Sequence, residues 1–183
     1  MLDWREAYRV AVHLGRALHE AYGRRIIHRN VTPRNILRRG HDKNCLLGDL
    51  IIAKALEGTL AQQVTRPGQI IGEVQYMSPE RTRDPLNVDH RSDLYGLGAT
   101  LYALLTGQPP FENDSIPELV RLVRQEEPRA PRDFQLSINE LFQDLVLKLL
   151  EKRPTDRFQT PSDLLRELER ISQYNNLDVH WSN

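Results

Sequence analysis

The sequence predicts a mainly α fold, a helical bundle around one buried central helix with a few short β-strands gathered about a polar loop. Three observations carry that expectation. Residues 92–105, with Leu94, Leu97, Leu101, Leu104 and Leu105 interleaved with Gly96, Gly98, Ala99 and Ala103, are apolar nearly all round, so the helix they form must be covered on every side. Residues 3–22 set Trp4, Ala7, Val10, Ala11, Leu14, Ala17, Leu18 and Ala21 on one face at helical spacing. Strand-like runs are confined to short segments between residues 26 and 48.

Taken in order, the first helix opens on Asp3 and Glu6, placed as an N-terminal cap pair, and stops at Gly23. Short strands are expected near Ile26-Ile27, Asn35 to Arg38 and Cys45 to Gly48, with a turn over residues 40–44. Between the first two lies the polar stretch His28-Arg29-Asn30-Val31-Thr32-Pro33-Arg34-Asn35, and a polar loop held by flanking strands carries chemistry more often than packing. The chain then loses periodicity from Ile51 to Tyr76, and a loop that long inside a compact domain is usually functional. Thr106-Gly107-Gln108-Pro109-Pro110 ends the central helix. Ser115 with Glu118 and Ser137 with Glu140 have capping-box spacing ahead of two further amphipathic runs. A last helix starts at Thr160-Pro161, and residues 174–183 read as a tail.

Composition narrows the function. At 183 residues the chain has room for one core, and 25 basic residues against 25 acidic leave no net charge. That balance argues against a nucleic-acid footprint or an anionic membrane surface as partner. The apolar runs are too short to span a bilayer and the first residues do not form a secretory signal, so the expected location is cytoplasmic. Cys45 is the only cysteine, which excludes a disulfide or cysteine-metal framework and leaves it as a small core side chain.

Five local motifs resemble the eukaryotic-type serine/threonine protein kinases, and bacterial members in particular. His28 to Asn35 is similar to the catalytic loop H-R-D-x-x-x-x-N, and Gly48-Asp49-Leu50-Ile51 to the metal-binding D-F-G turn. Tyr76 to Glu80 resembles the A-P-E element, Asp89 to Gly98 the start of the family's buried central helix, and Glu151 to Arg157 the loop whose Arg pairs with the A-P-E Glu. The resemblance implies the large C-terminal lobe over residues 1–173, with a catalytic-loop-like segment at 28–35, an activation-segment-like stretch at 49–80 and a helical bundle at 92–173. No glycine-rich loop or V-A-I-K strand precedes the first helix, so the small N-terminal lobe is absent from the sequence, as expected of a fragment or of a truncated gene's product.

What the resemblance implies for chemistry is divided. Asn35 and Asp49 match the two positions that hold magnesium. The base position is occupied by Asn30, whose neutral amide has almost no proton affinity near pH 7, and the Lys position by Thr32. Glu73 stands where the family uses a Thr to bridge base and Lys, so one catalytic network has changed as a unit. Ile51 in place of Gly resists the backbone torsions by which the metal-binding turn reorients. His28, Arg29, Glu80, Asp93 and Arg157 match structural positions and are expected to brace the loop and pair the activation segment with the bundle. Scaffold retained and chemistry lost is the pattern of a pseudokinase acting as an interaction or regulatory module, with a protein partner or a second copy of the chain and no cofactor of its own. The competing expectation is the C-lobe of a serine/threonine kinase that uses ATP and Mg2+ once joined to an N-lobe. Thr59 and Thr65 fall where activation loops are phosphorylated.

Overall fold

A computed structural model describes residues 1–40, 44–48 and 72–177. Asp49, Leu50, Ile51, Thr59 and Thr65 lie outside the described residues.

The first helix, α1, runs Trp4–Gly23 and buries Trp4, Ala7, Tyr8, Ala11, Leu14 and Leu18 along one face. Asp3 caps it by accepting the Arg5 N–H at 2.9 Å. Glu6, read from spacing as the other half of that cap, instead meets the Arg38 guanidinium at 3.3 Å. Past the helix the chain turns through Arg25 in the left-handed region (φ 57°). Residues 26–27 are not a strand, contrary to expectation: they lead directly into the polar loop, which closes in a 3-10 turn at Pro33–Asn35. Among the described residues the strands are β1, Ile36–Arg38, and β2, Cys45–Leu47, an antiparallel pair in which Ile36 faces Leu47 and Leu37 faces Leu46. Alternation sends Cys45 into the core and leaves Leu37 and Leu46 exposed.

The central helix α2, Arg91–Thr106, is buried along nearly its whole length. Its glycines are packing devices. A Cβ on Gly98 would sit 2.6 Å from the Leu149 Cβ, and one on Gly96 3.0 Å from the Val31 carbonyl, so both neighbours approach the helix backbone where no side chain intervenes. Gly107 ends the helix with φ 80°, its N–H bonded to the Ala103 carbonyl at 2.9 Å.

Three more α-helices follow it among the described residues. The α3 helix, Ile116–Gln125, buries Leu119 and Val123 against Val74 and Phe111 in a small separate cluster. For α4, Glu140–Leu149, the cap is Asn139, which accepts the Phe142 N–H at 3.1 Å; the Ser137–Glu140 spacing pointed two residues too early. The last helix, α5, Pro161–Asn175, has the full capping box through Thr160 and Asp163. It lies along α1, where the Tyr8 hydroxyl donates to the Leu168 carbonyl at 2.6 Å. The helix passes the boundary at 173 read from the sequence, and Leu177 packs against the core, so the expected tail of 174–183 begins in ordered structure.

Candidate functional site

The polar loop from His28 to Asn35 is fixed from four directions, and the clearest anchor comes from α2. Asp93, buried in the first turn of that helix, accepts the His28 N–H through Oδ2 at 2.8 Å and the Arg29 N–H through Oδ1 at 2.7 Å. Burial pushes its carboxyl up to about 6, against the pull of the two N–H groups and of Arg81. A carboxylate kept inside must have its lone pairs occupied, and here the backbone of the loop occupies them.

The His28 ring gives the second anchor. Its Nε2 lies 2.8 Å from the Gly48 carbonyl, and the Asn30 N–H points to Nδ1 at 3.3 Å. A carbonyl only accepts and an N–H only donates, so these partners select the neutral ring with its proton on Nε2. His28 thereby ties the loop to the end of β2, one residue before Asp49. The third anchor is Asn35, whose Nδ2 donates to the Asn30 carbonyl at 2.8 Å. Its own carbonyl accepts the Gly48 N–H at 2.7 Å. The fourth is Arg81, a residue that neither spacing nor motif singled out: its guanidinium donates to the Arg29 carbonyl from 52 residues along the chain.

Arg29 needs this many constraints. It sits at φ 66°, where a side chain other than glycine costs roughly 1–3 kcal/mol and persists only when its surroundings over-determine it. The result presents Asn30 next to the buried Thr32 in a small polar recess that Glu73, Ser78, Arg81 and Asp93 also line.

Behind the loop, the expected pair forms. Arg157, whose side chain is fully buried, meets Glu80 through two N–H···O bonds of 2.8 Å each. Its remaining donors reach the carbonyls of Glu151 at 2.7 Å, Arg91 at 2.9 Å and Lys152 at 3.1 Å. Burial raises the Glu80 carboxyl, but the hydrogen bonds and charge of Arg157 outweigh it and hold the group below its ordinary value. The Ser78 and Ser92 hydroxyls, 2.7 Å apart and buried, add a second stitch between this segment and α2.

The arrangement brings together His28, Arg29, Asn30, Thr32, Asn35 and Asp93, with Glu80 and Arg157 bracing them from below; Asp49 lies outside the described residues. For a magnesium ion, which demands six oxygens in a near-octahedral shell, Asn35 can offer one neutral amide oxygen. Among the described residues no group of three or more His, Cys, Asp or Glu side chains could hold a metal ion. The Asn30 amide in this recess can orient a hydroxyl by hydrogen bonding and cannot take its proton. Among the described residues no helix is long and apolar enough to cross a membrane.

Comparison with known proteins follows the same outline. The protein kinase domain family matches residues 1–167. The chain is 36% identical over 169 residues to the serine/threonine-protein kinase PknB of Mycolicibacterium smegmatis, covering 92% of this chain and 27% of that protein. It is 32% identical over 180 residues to a probable serine/threonine-protein kinase of Clostridium perfringens, covering 97% of this chain and 25% of that one. A probable PknB of Corynebacterium glutamicum is 34% identical over 172 residues, 92% of this chain and 26% of its own. The chain thus spans about a quarter of the length of these relatives.

Proposed function

The chain belongs to the protein kinase family, and from that premise we propose that it is a catalytically inactive kinase-like C-lobe, a pseudokinase that serves as an interaction or regulatory module. One observation carries the reading. The loop is held in place by Asp93, His28, Asn35 and Arg81, yet the side chain at the position matching the family's proton acceptor is the Asn30 amide. Phosphoryl transfer by this family needs a carboxylate there to orient and accept the hydroxyl proton, and a cation beside the moving phosphate. Asn30 and Thr32 supply neither, and loss of a general base alone costs on the order of 10² to 10⁴ in rate.

As a module, the lobe offers a protein partner or a second copy the outward face of the β1–β2 hairpin. There Leu37 and Leu46, directly opposed, are 60% and 47% exposed. The absence of net charge on the chain leaves self-association unopposed by long-range repulsion. Light scattering of the wild type and of Leu46→Lys tests this surface, with the larger species expected to disappear in the variant.

The similarity to bacterial serine/threonine kinases favours one other reading, the C-lobe of a kinase that transfers the ATP γ-phosphate to protein Ser or Thr when completed by an N-lobe. In that setting Asn35 would contribute an oxygen to bound magnesium, and ATP would supply the phosphoryl group. A phosphotransfer assay separates the two readings. The full-length product is compared with its Asn30→Asp, Thr32→Lys double variant on a generic Ser/Thr peptide. No turnover above background is expected from the unmodified protein, and turnover at an ordinary kinase rate would overturn the non-catalytic reading.

A further inference from the structure

The residue after the Ser-Pro-Glu element, Arg81, enters the function proposed above only as one anchor of the loop, yet its side chain is where the loop and the segment after Gly72 meet. We infer that Arg81 is the positioning residue for Asn30: its guanidinium holds the Arg29 carbonyl and thereby fixes the Arg29–Asn30 peptide in the plane that aims the Asn30 side chain.

Three observations converge on that peptide. The Arg29 carbonyl accepts from Arg81 Nη1, while the N–H on the other side of the same peptide, that of Asn30, points to His28 Nδ1 at 3.3 Å. The preceding N–H, that of Arg29, is taken by Asp93 Oδ1 at 2.7 Å, and the following carbonyl, that of Asn30, by Asn35 Nδ2 at 2.8 Å. All four polar backbone groups around residues 29 and 30 are thus spoken for, and Arg81 is the only one of these partners that reaches in from the 72–90 segment.

The second point is conformational. Arg29 is one of three described non-glycine residues with positive φ, and a carbonyl left unpaired there would let the peptide flip toward the extended region that its side chain prefers. The third is electrostatic. Arg81 is a largely buried cation whose ionised form burial disfavours; the carboxylates of Asp93 and Glu73 favour it from two sides, while Arg29 opposes it. A fork of fixed donors held by surrounding charge suits the task of pinning one carbonyl better than a flexible ammonium does. The assignment deepens the non-catalytic reading, on which its functional meaning rests: an internal cation keeps the loop in shape where position 32 supplies none.

The test is native-state hydrogen exchange of the whole chain, read residue by residue, for wild type, Arg81→Gln, Arg81→Lys and the exposed control Arg83→Gln. In Arg81→Gln, exchange at the Arg29 and Asn30 amides is expected to rise about tenfold or more while the amides within α2 hold their wild-type protection. Arg81→Lys should recover part of the difference, and Arg83→Gln should match wild type. Should Arg81→Gln fail to fold, the same comparison of loop against α2 is made in Arg81→Lys. Unchanged loop protection, a uniform rise that includes α2, or an equal effect from Arg83→Gln would overturn the assignment. Loop protection and phosphotransfer are separate readouts, so failure here leaves the non-catalytic reading to its own assay.

Discussion

Glu80 and Arg157, 77 residues apart in sequence, face each other through two 2.8 Å bonds with the guanidinium fully enclosed. Arg157 spends its other donors on three backbone carbonyls, so a single side chain joins the segment before Arg81, the start of α2 and the loop before α5. Removing one partner strands the other. Glu80→Ala or Arg157→Ala is expected to cost roughly 3–5 kcal/mol, while replacing both with apolar residues of similar volume costs far less. Urea unfolding of the singles and the double checks this, and singles that cost under half of that range would show the pair to be dispensable.

The acid branch of the stability profile should carry two opposite signatures. Glu80 is held below its ordinary 4.5, so its contribution is present above that value and lost as pH falls through the depressed one. Asp93 is raised from 3.8 to about 6, so its contribution is present below 3.8 and lost as pH rises through about 6. Melting temperatures measured from pH 3 to pH 7 should show the upper slope vanish in Asp93→Asn and the lower one in Glu80→Gln.

Asp93→Ala leaves the N–H groups of His28 and Arg29 buried without their acceptor, at about 1–3 kcal/mol each. Lost stability of that order, with the loop amides exchanging faster than those of α4, is the expected result. A variant as stable as wild type would mean the loop finds other acceptors.

Gly98→Ala places a methyl group 2.6 Å from the Leu149 Cβ. Helix propensity alone would favour the change by up to about 1 kcal/mol. Overpacking between α2 and α4 opposes it by typically 1–3 kcal/mol, so a net destabilisation is expected in thermal melts, partly relieved by Leu149→Ala in the same chain.

Much of this was legible in the chain because the informative residues obey short-range rules. The all-round apolar run of α2 and the single apolar face of α1 mark themselves by period, and both helices lie within a residue or so of where the pattern puts them. Resemblance, more than pattern, identified Asp93, Glu80 and Arg157, whose partners lie 64 to 77 residues away. What failed did so for local reasons. Ile26 and Ile27 have strand-like side chains and, among the described residues, no strand paired with them, and the α4 cap fell to Asn139 because helix registration, not the first Ser in range, decides which residue caps. Arg81 was invisible because a half-buried Arg in a turn has the same sequence signature as an exposed one. Only the distant Arg29 carbonyl distinguishes it.

The lengthwise contact of α1 with α5 has a consequence for how the protein is made. Tyr8 reaches a carbonyl 160 residues downstream, so α1 leaves a ribosome well before the helix it lies along. At ordinary synthesis rates that interval is roughly 10 to 30 seconds. Until then the part of its apolar face that meets α5 stays uncovered, while β2 and α2, made earlier, can already cover the rest.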